Sequence, residues 1–155
     1  MQMIFQDPQS ALNPRRRVAS IVTQAMEAGS RHATWEARLE RTRELLAEVG
    51  MSPDLASRYP PQLSGGQRQR VNIARALCAR AKVIVADEIV SGLDVSVQAQ
   101  LLNLLFRLRT ELGFAMLFIS HDMSVVRFLC SRVLTMFRGE IVEQGPPEVL
   151  FHHAA

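Results

Sequence analysis

Lysine is almost absent from this chain. Lys82 is the only one, and it follows Ala81 rather than a glycine. No G-x-x-x-x-G-K-[ST] segment therefore exists within these residues, which removes one common way of cradling phosphates. Cysteine is scarce too. Cys78 and Cys130 lie far apart and form no C-x-x-C, so neither a disulfide framework nor a zinc site is supported, and a reducing compartment is the default. The longest clean apolar runs, Val83–Ala86 and Phe114–Ile119, fall far short of the ~18 residues a membrane helix needs. Membrane association would have to come through a partner. Met1–Phe5 has no basic segment ahead of an apolar one, so it reads as a strand entered partway rather than a signal peptide. Internal repeats and low-complexity segments are missing. The formal charge is +3, but charged residues are 21% of the chain and their one dense run is Arg15-Arg16-Arg17. Without a basic tract interleaved with aromatics, no nucleic-acid partner is expected.

What is present suffices for one folded unit. At 155 residues and 48% hydrophobic content, the chain can build a single α/β core. Gln2–Phe5 reads as a short strand stopped by Pro8, which leaves Gln6 at its end. Ser10–Pro14 reads as a turn-rich loop. Val18–Ala28 carries Val18, Ile21, Val22 and Ala25 on one helical face, and Gly29–Ala33 is a polar break. Thr34 is an N-cap for an amphipathic helix with Trp35, Leu39, Leu45, Leu46 and Val49 inward, Trp35 being expected in the core and Gly50 as the stop. Ser52-Pro53 begins another short element. Tyr59-Pro60-Pro61 then imposes an extended approach to the next segment.

Lys82–Ala86, with β-branched Val83, Ile84 and Val85, suits a strand buried on both faces of a parallel sheet. Val95–Thr110 reads as a helix with Val97, Leu101, Leu104, Leu105 and Leu108 inward, and Gly113 marks its exit. Phe114–Ile119 is a second buried strand, completing a βαβ unit. Asp87-Glu88 and His121 then fall at neighbouring strand ends, where open α/β sheets bind ligands. Asp122 caps a helix through Leu129. Val133–Phe137 and Glu140–Gln144 form a hairpin around Arg138-Gly139, and a short helix follows at Glu148–Phe151. His152 and His153 lack i,i+4 spacing and a third ligand, so they read as a solvated tail, not a metal site.

One stretch organises the rest: Leu63-Ser64-Gly65-Gly66-Gln67. Ser64 as N-cap and Gln67 three residues on make a capping box, and the two glycines leave backbone N–H groups bare. Such a helix start presents unpaired donors and a positive dipole end, which suits a phosphate. Alone, Ser-Gly-Gly favours an ordinary capped helix after a glycine turn. Its company is more specific. Asp87-Glu88, Ser91-Gly92-Leu93-Asp94 and Ser120-His121-Asp122 follow it, and this order and spacing resembles the signature, Walker B, D-loop and H-loop of the ATP-binding cassette (ABC) ATPases. Phe5-Gln6-Asp7-Pro8 with Leu12-Asn13-Pro14 resembles the Q-loop region of the ABC subunits that power oligopeptide and dipeptide importers.

The resemblance implies a partial P-loop NTPase fold: a parallel-sheet remnant with an α-helical subdomain. Within 1–155 it implies a Q-loop region at 1–17, a helical subdomain carrying the signature at 18–80, and Walker B, D-loop, H-loop and hairpin at 81–155. It implies ATP and Mg²⁺ as ligands. By the same resemblance Asp87 holds Mg²⁺, Glu88 orients the attacking water, His121 contacts the γ-phosphate, and Gln6 senses Mg²⁺. Leu63, Ser64, Gly65, Gly66 and Gln67 close over ATP held by a second subunit in a head-to-tail dimer, with Asp94 passing between the two. Transmembrane permease subunits are implied as partners, a solute-binding protein indirectly, and a peripheral location on the cytoplasmic face of the inner membrane. Three features depart from the family pattern. Ile89-Val90 follow Glu88 where Pro and Thr or Val are usual, and the P-loop is missing, as is a tail after Phe151. The alternatives are a soluble non-transport ABC ATPase and a non-catalytic remnant without its own ATP site.

Overall fold

The computed structural model describes residues 1–29 and 33–152, with the side chains of 27–29 and 152 left undescribed. Most of the polar break at Gly29–Ala33 lies outside the described residues, as do His153 and the His152 side chain.

Three short strands form a parallel sheet in the order β1 (Gln2–Ile4), β2 (Val83–Asp87), β3 (Ala115–Ile119). Ile4 lies opposite Ala86, and Asp87 opposite Ile119, so the three C-terminal ends are level. The fold is α/β, as expected. Burial is one-sided, however, and this corrects the expectation of strands covered on both faces. Ile4, Ile84 and Ala86 are buried against the helices with Met116 and Phe118 beside them, whereas Leu117 is 51% exposed on the other face. The apolar runs of β2 and β3 therefore outnumber the partners that cover them.

Short elements precede the helical cluster. Pro8 does not only stop a strand; it opens a helix, α1 (Pro8–Ala11), where a loop was expected. Asp7 caps it by accepting from the Gln9 and Ser10 amides at 2.8 and 3.2 Å, and proline at a first helical position has no N–H to lose. The helix expected over 18–28 is two, α2 (Val18–Val22) and α3 (Gln24–Gly29). They part at Thr23, whose hydroxyl donates to the Ala19 carbonyl at 2.6 Å and accepts from Arg38 Nε at 2.9 Å. Threonine bonding back to the preceding turn competes with the helical ladder. In α4 (Trp35–Glu48), Thr34 caps as expected and Leu45 and Leu46 are buried. Trp35 is not in the core: it is 37% exposed, under the Arg38 guanidinium. Tight turns at Pro53–Ser57 and Pro60–Gln62 follow, the second replacing most of the expected extended approach.

The centre of this cluster is α5 (Gly65–Cys78), with Val71, Ile73, Ala74 and Ala76 buried. Its arginines bind it to its neighbours through carbonyls left over at chain ends. Arg70 donates to Val49 O at the end of α4 (2.6 Å), and Arg75 to Ala11 O at the end of α1 (2.8 Å). Burial of Arg75 lowers its pKa.

Beyond the sheet, α6 (Val95–Leu112) buries Leu101, Leu102, Leu104, Leu105 and Leu108, with Val97 only half-buried, and stops at Gly113, whose φ is 68°. The hairpin β4 (Val133–Phe137) and β5 (Glu140–Gly145) follows α7 (Met123–Leu129) and precedes α8 (Pro147–His152). Its two turn residues, Arg138 and Gly139, have φ of 52° and 88°, as a two-residue hairpin turn requires. The hairpin carries apolar side chains in the open, Met136 at 65%. Among the described residues no helix is long and apolar enough to cross a membrane.

Candidate functional site

The level strand ends bring two distant side chains onto one carboxylate. Gln6, just past β1, donates from Nε2 to Glu88 Oε2 at 3.0 Å across 82 residues of sequence. His121, just past β3, holds Nδ1 3.0 Å from Glu88 Oε1. The Glu88 side chain is 29% exposed and that of His121 73%, so the cluster is open to solvent on the histidine side. Glu88, Ser91, Gln98, Ser120, His121 and Asp122 line a cleft of about 150 Å³ there. A larger cleft of about 420 Å³, lined by Arg41, Glu48, Arg80, Lys82 and Phe114, lies at the opposite end of β2 and holds none of the predicted site residues.

Glu88 reaches this position through an unusual backbone. Its φ is 46°, in the left-handed region, and it is not glycine. Such residues persist only where the surroundings over-determine them. The Glu88 N–H donates to Ile119 O at 2.9 Å, and the Glu88 carbonyl accepts from the Ser91 N–H at 3.0 Å. Ile89 and Val90, in place of the usual proline and its neighbour, are buried at 1% and 5% and peg the turn into the core. Gln69 on α5 donates from Nε2 to Ile89 O at 2.9 Å, while its own Oε1 has no partner.

Around the cluster, Asp122 caps α7 by accepting from the Ser124 and Val125 amides at 2.9 and 3.4 Å, and Gln98 Nε2 lies 3.5 Å from its other oxygen. These backbone donors, that of Ser124 foremost, hold the Asp122 carboxyl below the usual aspartate range. Asp7 is lowered likewise, chiefly by the Gln9 amide. Asp87 ends β2, half-buried and level with Ile119.

The signature segment stands apart. Ser64 forms the capping box, accepting from the Gln67 amide at 3.3 Å while Gln67 Oε1 accepts from the Ser64 amide at 2.9 Å. None of Leu63, Ser64, Gly65, Gly66 and Gln67 lines the cleft. A Cβ on Gly66 would lie 3.2 Å from Val97 Cγ1, so the start of α5 abuts α6, whereas one on Gly65 would meet nothing within 4 Å. Asp94 leads α6 from an exposed position and its side chain caps nothing. Sequence reading missed Gln69, Gln98 and Ser120. Gln69 did leave a signal: with Asn72, Ile73 and Ala76 it falls at helical spacing on the apolar side of α5.

The donors available suit a hard cation. Asp87 offers carboxylate oxygen, and Gln6, its nitrogen engaged by Glu88, offers an amide oxygen; both are the oxygen ligands Mg²⁺ prefers. They are few. Among the described residues no group of three or more His, Cys, Asp and Glu side chains is placed to hold a metal, so these residues would supply only part of a coordination shell.

Comparison with known proteins identifies the family and the fold. Residues 1–91, more than half of the chain, match the ABC transporter family. The chain is 53% identical over 151 residues to the probable peptide ABC transporter ATP-binding protein y4tS of Sinorhizobium fredii, covering 97% of this chain and 42% of that protein. It is 46% identical over 153 residues to the oligopeptide transport ATP-binding protein OppF of Bacillus subtilis, covering 99% and 50%. It thus spans about half the length of the curated relatives it matches. Among solved structures, cbiO1 of Clostridium perfringens, part of the ABC transporter complex cbiONQ, superposes with a TM-score of 0.83 at 29% identity, over 99% of this chain and 59% of that one. The cassette MJ0796, in a dimer bound to ADP and Pi, gives 0.78 at 29%, over 94% and 62%. The fold is part of an ABC ATPase cassette, and the chain belongs to the ABC transporter family.

Proposed function

We propose that this chain is the portion of an ABC importer's ATPase subunit that carries the water-activating glutamate, the importer taking up di- or oligopeptides or similar solutes. The observation that supports it most is the convergence of Gln6 and His121 on Glu88 at three level strand ends. A carboxylate so fixed can accept a proton from a water attacking the γ-phosphoryl group of ATP, which is general-base work. With a proton on each ring nitrogen, His121 would donate from Nδ1 to Glu88 and from Nε2 to the γ-phosphoryl oxygens. Gln6 and Asp87 would hold Mg²⁺, which supplies charge neutralisation to the phosphates when bound. The peptide class is supported by the names of the relatives and by Leu12-Asn13-Pro14 beside Gln6.

In this reading 1–17 is the Q-loop region, 18–80 the helical subdomain that meets the transmembrane permease subunits, and 81–155 the remainder of the cassette. Leu63–Gln67 and Asp94 sit outside the cleft because they serve a nucleotide held by a second ATPase subunit in a head-to-tail dimer. The subunit lies peripherally on the cytoplasmic face of the membrane. A chimera placing the first half of the Bacillus subtilis relative ahead of Met1 tests the enzymatic reading by Mg-ATP-dependent phosphate release. Turnover that vanishes with Glu88→Gln supports it; a chimera that binds ATP and never turns over refutes it. An in-frame G-x-x-x-x-G-K-[ST] in the DNA upstream of Met1 points the same way, and its absence points to a remnant.

A further inference from the structure

Gln69 has no role assigned by the site as described, yet its side chain is buried and bonded to the residue that follows Glu88. It is 1% exposed, and its one bond, Nε2 to Ile89 O at 2.9 Å, joins residues 20 apart in sequence. Its Oε1 is buried without a partner. A leucine or methionine would fill this helical position without leaving an unpaired oxygen, so the amide is retained at a cost to packing. What the amide does is specific. The carbonyl it holds belongs to the residue right after Glu88, in a turn whose first residue has φ of 46°.

Each other freedom of Glu88 is already fixed. Its N–H is held by Ile119 O, its carbonyl by the Ser91 N–H, and its carboxylate by Gln6 and His121. The remaining one is the orientation of the Ile89–Val90 peptide plane. Ile89, unlike proline, restrains no φ of its own. Rotating that plane would turn a buried carbonyl away from its partner and release the left-handed turn, and an ångström of drift in a catalytic group is enough to matter.

We propose that Gln69 is a positioning residue for Glu88: from the second turn of α5 it pins the Ile89 carbonyl and so aims the carboxylate between Gln6 and His121. Because Ser64–Gln67 form the first turn of the same helix, a shift of the signature segment is carried to Glu88 through this one amide. The mechanical statement concerns the folded chain, while its consequence for rate rests on the ATPase reading above.

The test uses Gln69→Met, equal in length and without a donor, and Gln69→Glu, equal in shape and acceptor-only when ionised. In the 155-residue chain, NMR should show the Glu88 and Ser91 amides exchanging about tenfold faster in both variants, the size expected for one lost buried bond. The amides of Ile84 and Ala86 should be unchanged. The ring ¹⁵N shift of His121 should move part of the way it moves in Glu88→Gln. Asn72→Ala, which removes a neighbouring buried amide with no bond to the turn, should move neither. In the chimera, Gln69→Met should lower kcat by about 10- to 100-fold with KM for ATP within twofold. An unchanged His121 shift with unchanged Glu88 and Ser91 exchange overturns the proposal. So does equal acceleration at Ile84 and Ala86 in both variants, since Gln69 is then simply part of the core. If the parent chimera never hydrolyses ATP, the ATPase reading fails while the exchange and shift data still decide the role of Gln69.

Discussion

Replacing Glu88 by glutamine separates chemistry from architecture. The substitution keeps shape and length, so one side-chain oxygen can still accept from Gln6 Nε2, now 3.0 Å away, while the new amide faces His121 Nδ1 in place of Oε1. That nitrogen can accept when the neutral ring carries its proton on Nε2. The turn is set by the backbone bonds to Ile119 and Ser91 and by buried Ile89 and Val90, none of which changes. With the side chain partly exposed, the folded state should therefore lose less than about 1 kcal/mol, under about 4 °C in melting temperature. The rate is another matter. An amide cannot take a proton from water, and removing a general base costs about 10²–10⁴ in turnover, or roughly 2.7–5.4 kcal/mol on the barrier. Phosphate release by the chimera at saturating Mg-ATP should fall by that factor while ATP binding persists, trapping a nucleotide-bound dimer. Hydrolysis within a few-fold of the parent would refute the assignment of Glu88 as base.

Gly65 gives the cleaner probe of the signature, because a side chain there meets nothing within 4 Å whereas one on Gly66 crowds Val97. In a mixed dimer, Gly65→Leu on one subunit should silence the ATP site whose P-loop lies on the other; loss of the mutated subunit's own site instead would overturn the trans assignment. Backbone amide donors hold the Asp7 and Asp122 carboxyls below the usual aspartate range, so their stabilisation is present above the unfolded value and is lost as pH falls through the folded one. Melting temperature should be insensitive to these groups from pH 7 to 5 and fall below about pH 4, less steeply in Asp122→Asn, and an equal slope in that variant would show that Asp122 is not responsible. The 155 residues alone should bind Mg-ATP more weakly than millimolar, since an exposed helix terminus contributes about 0.3–1 kcal/mol per charge and millimolar affinity needs about 4; micromolar binding by calorimetry would mean that the nucleotide sits elsewhere.

Local signals with a physical mechanism were legible in the sequence. The Ser64–Gln67 capping box, the Asp122 and Thr34 caps, the Gly113 stop and the Arg138-Gly139 hairpin turn all follow from chemistry within four residues, and the structure contains each of them. The βαβ periodicity also placed the ends of β2 and β3 side by side, and in the structure Asp87 lies opposite Ile119. What was misread depended on contacts from afar. At Thr23 the hydroxyl that bonds back to Ala19 also accepts from Arg38, fifteen residues on, a partner that only the fold supplies. Trp35 looked like core by period, but its position on α4 sets it under a guanidinium instead of under a neighbouring helix. The β3 run reads as buried because periodicity reports side-chain character and not what covers it. Gln69 was passed over for the converse reason. A polar residue on an apolar face announces that a partner exists, but only the fold shows that the partner is the carbonyl behind Glu88.

The exposures of the cluster decide how it can work. With His121 open to water over most of its side chain, charges in the cleft are solvated, and Coulomb interactions there carry about a twentieth of their strength in a dry interior. Gln6 and His121 each lie 3.0 Å from the Glu88 carboxylate, but in a solvated cleft that spacing has little electrostatic effect. A covering surface must first exclude water, after which the same distances act on an attacking water and a developing charge with little screening. In the proposed function the signature segment of a second subunit offers such a surface: it is capped and glycine-rich, and it lines no part of its own cleft. In the proposed function, one chain holds a cluster that would activate water but is open to solvent, and the signature segment of a second such subunit, paired head to tail, would cover it.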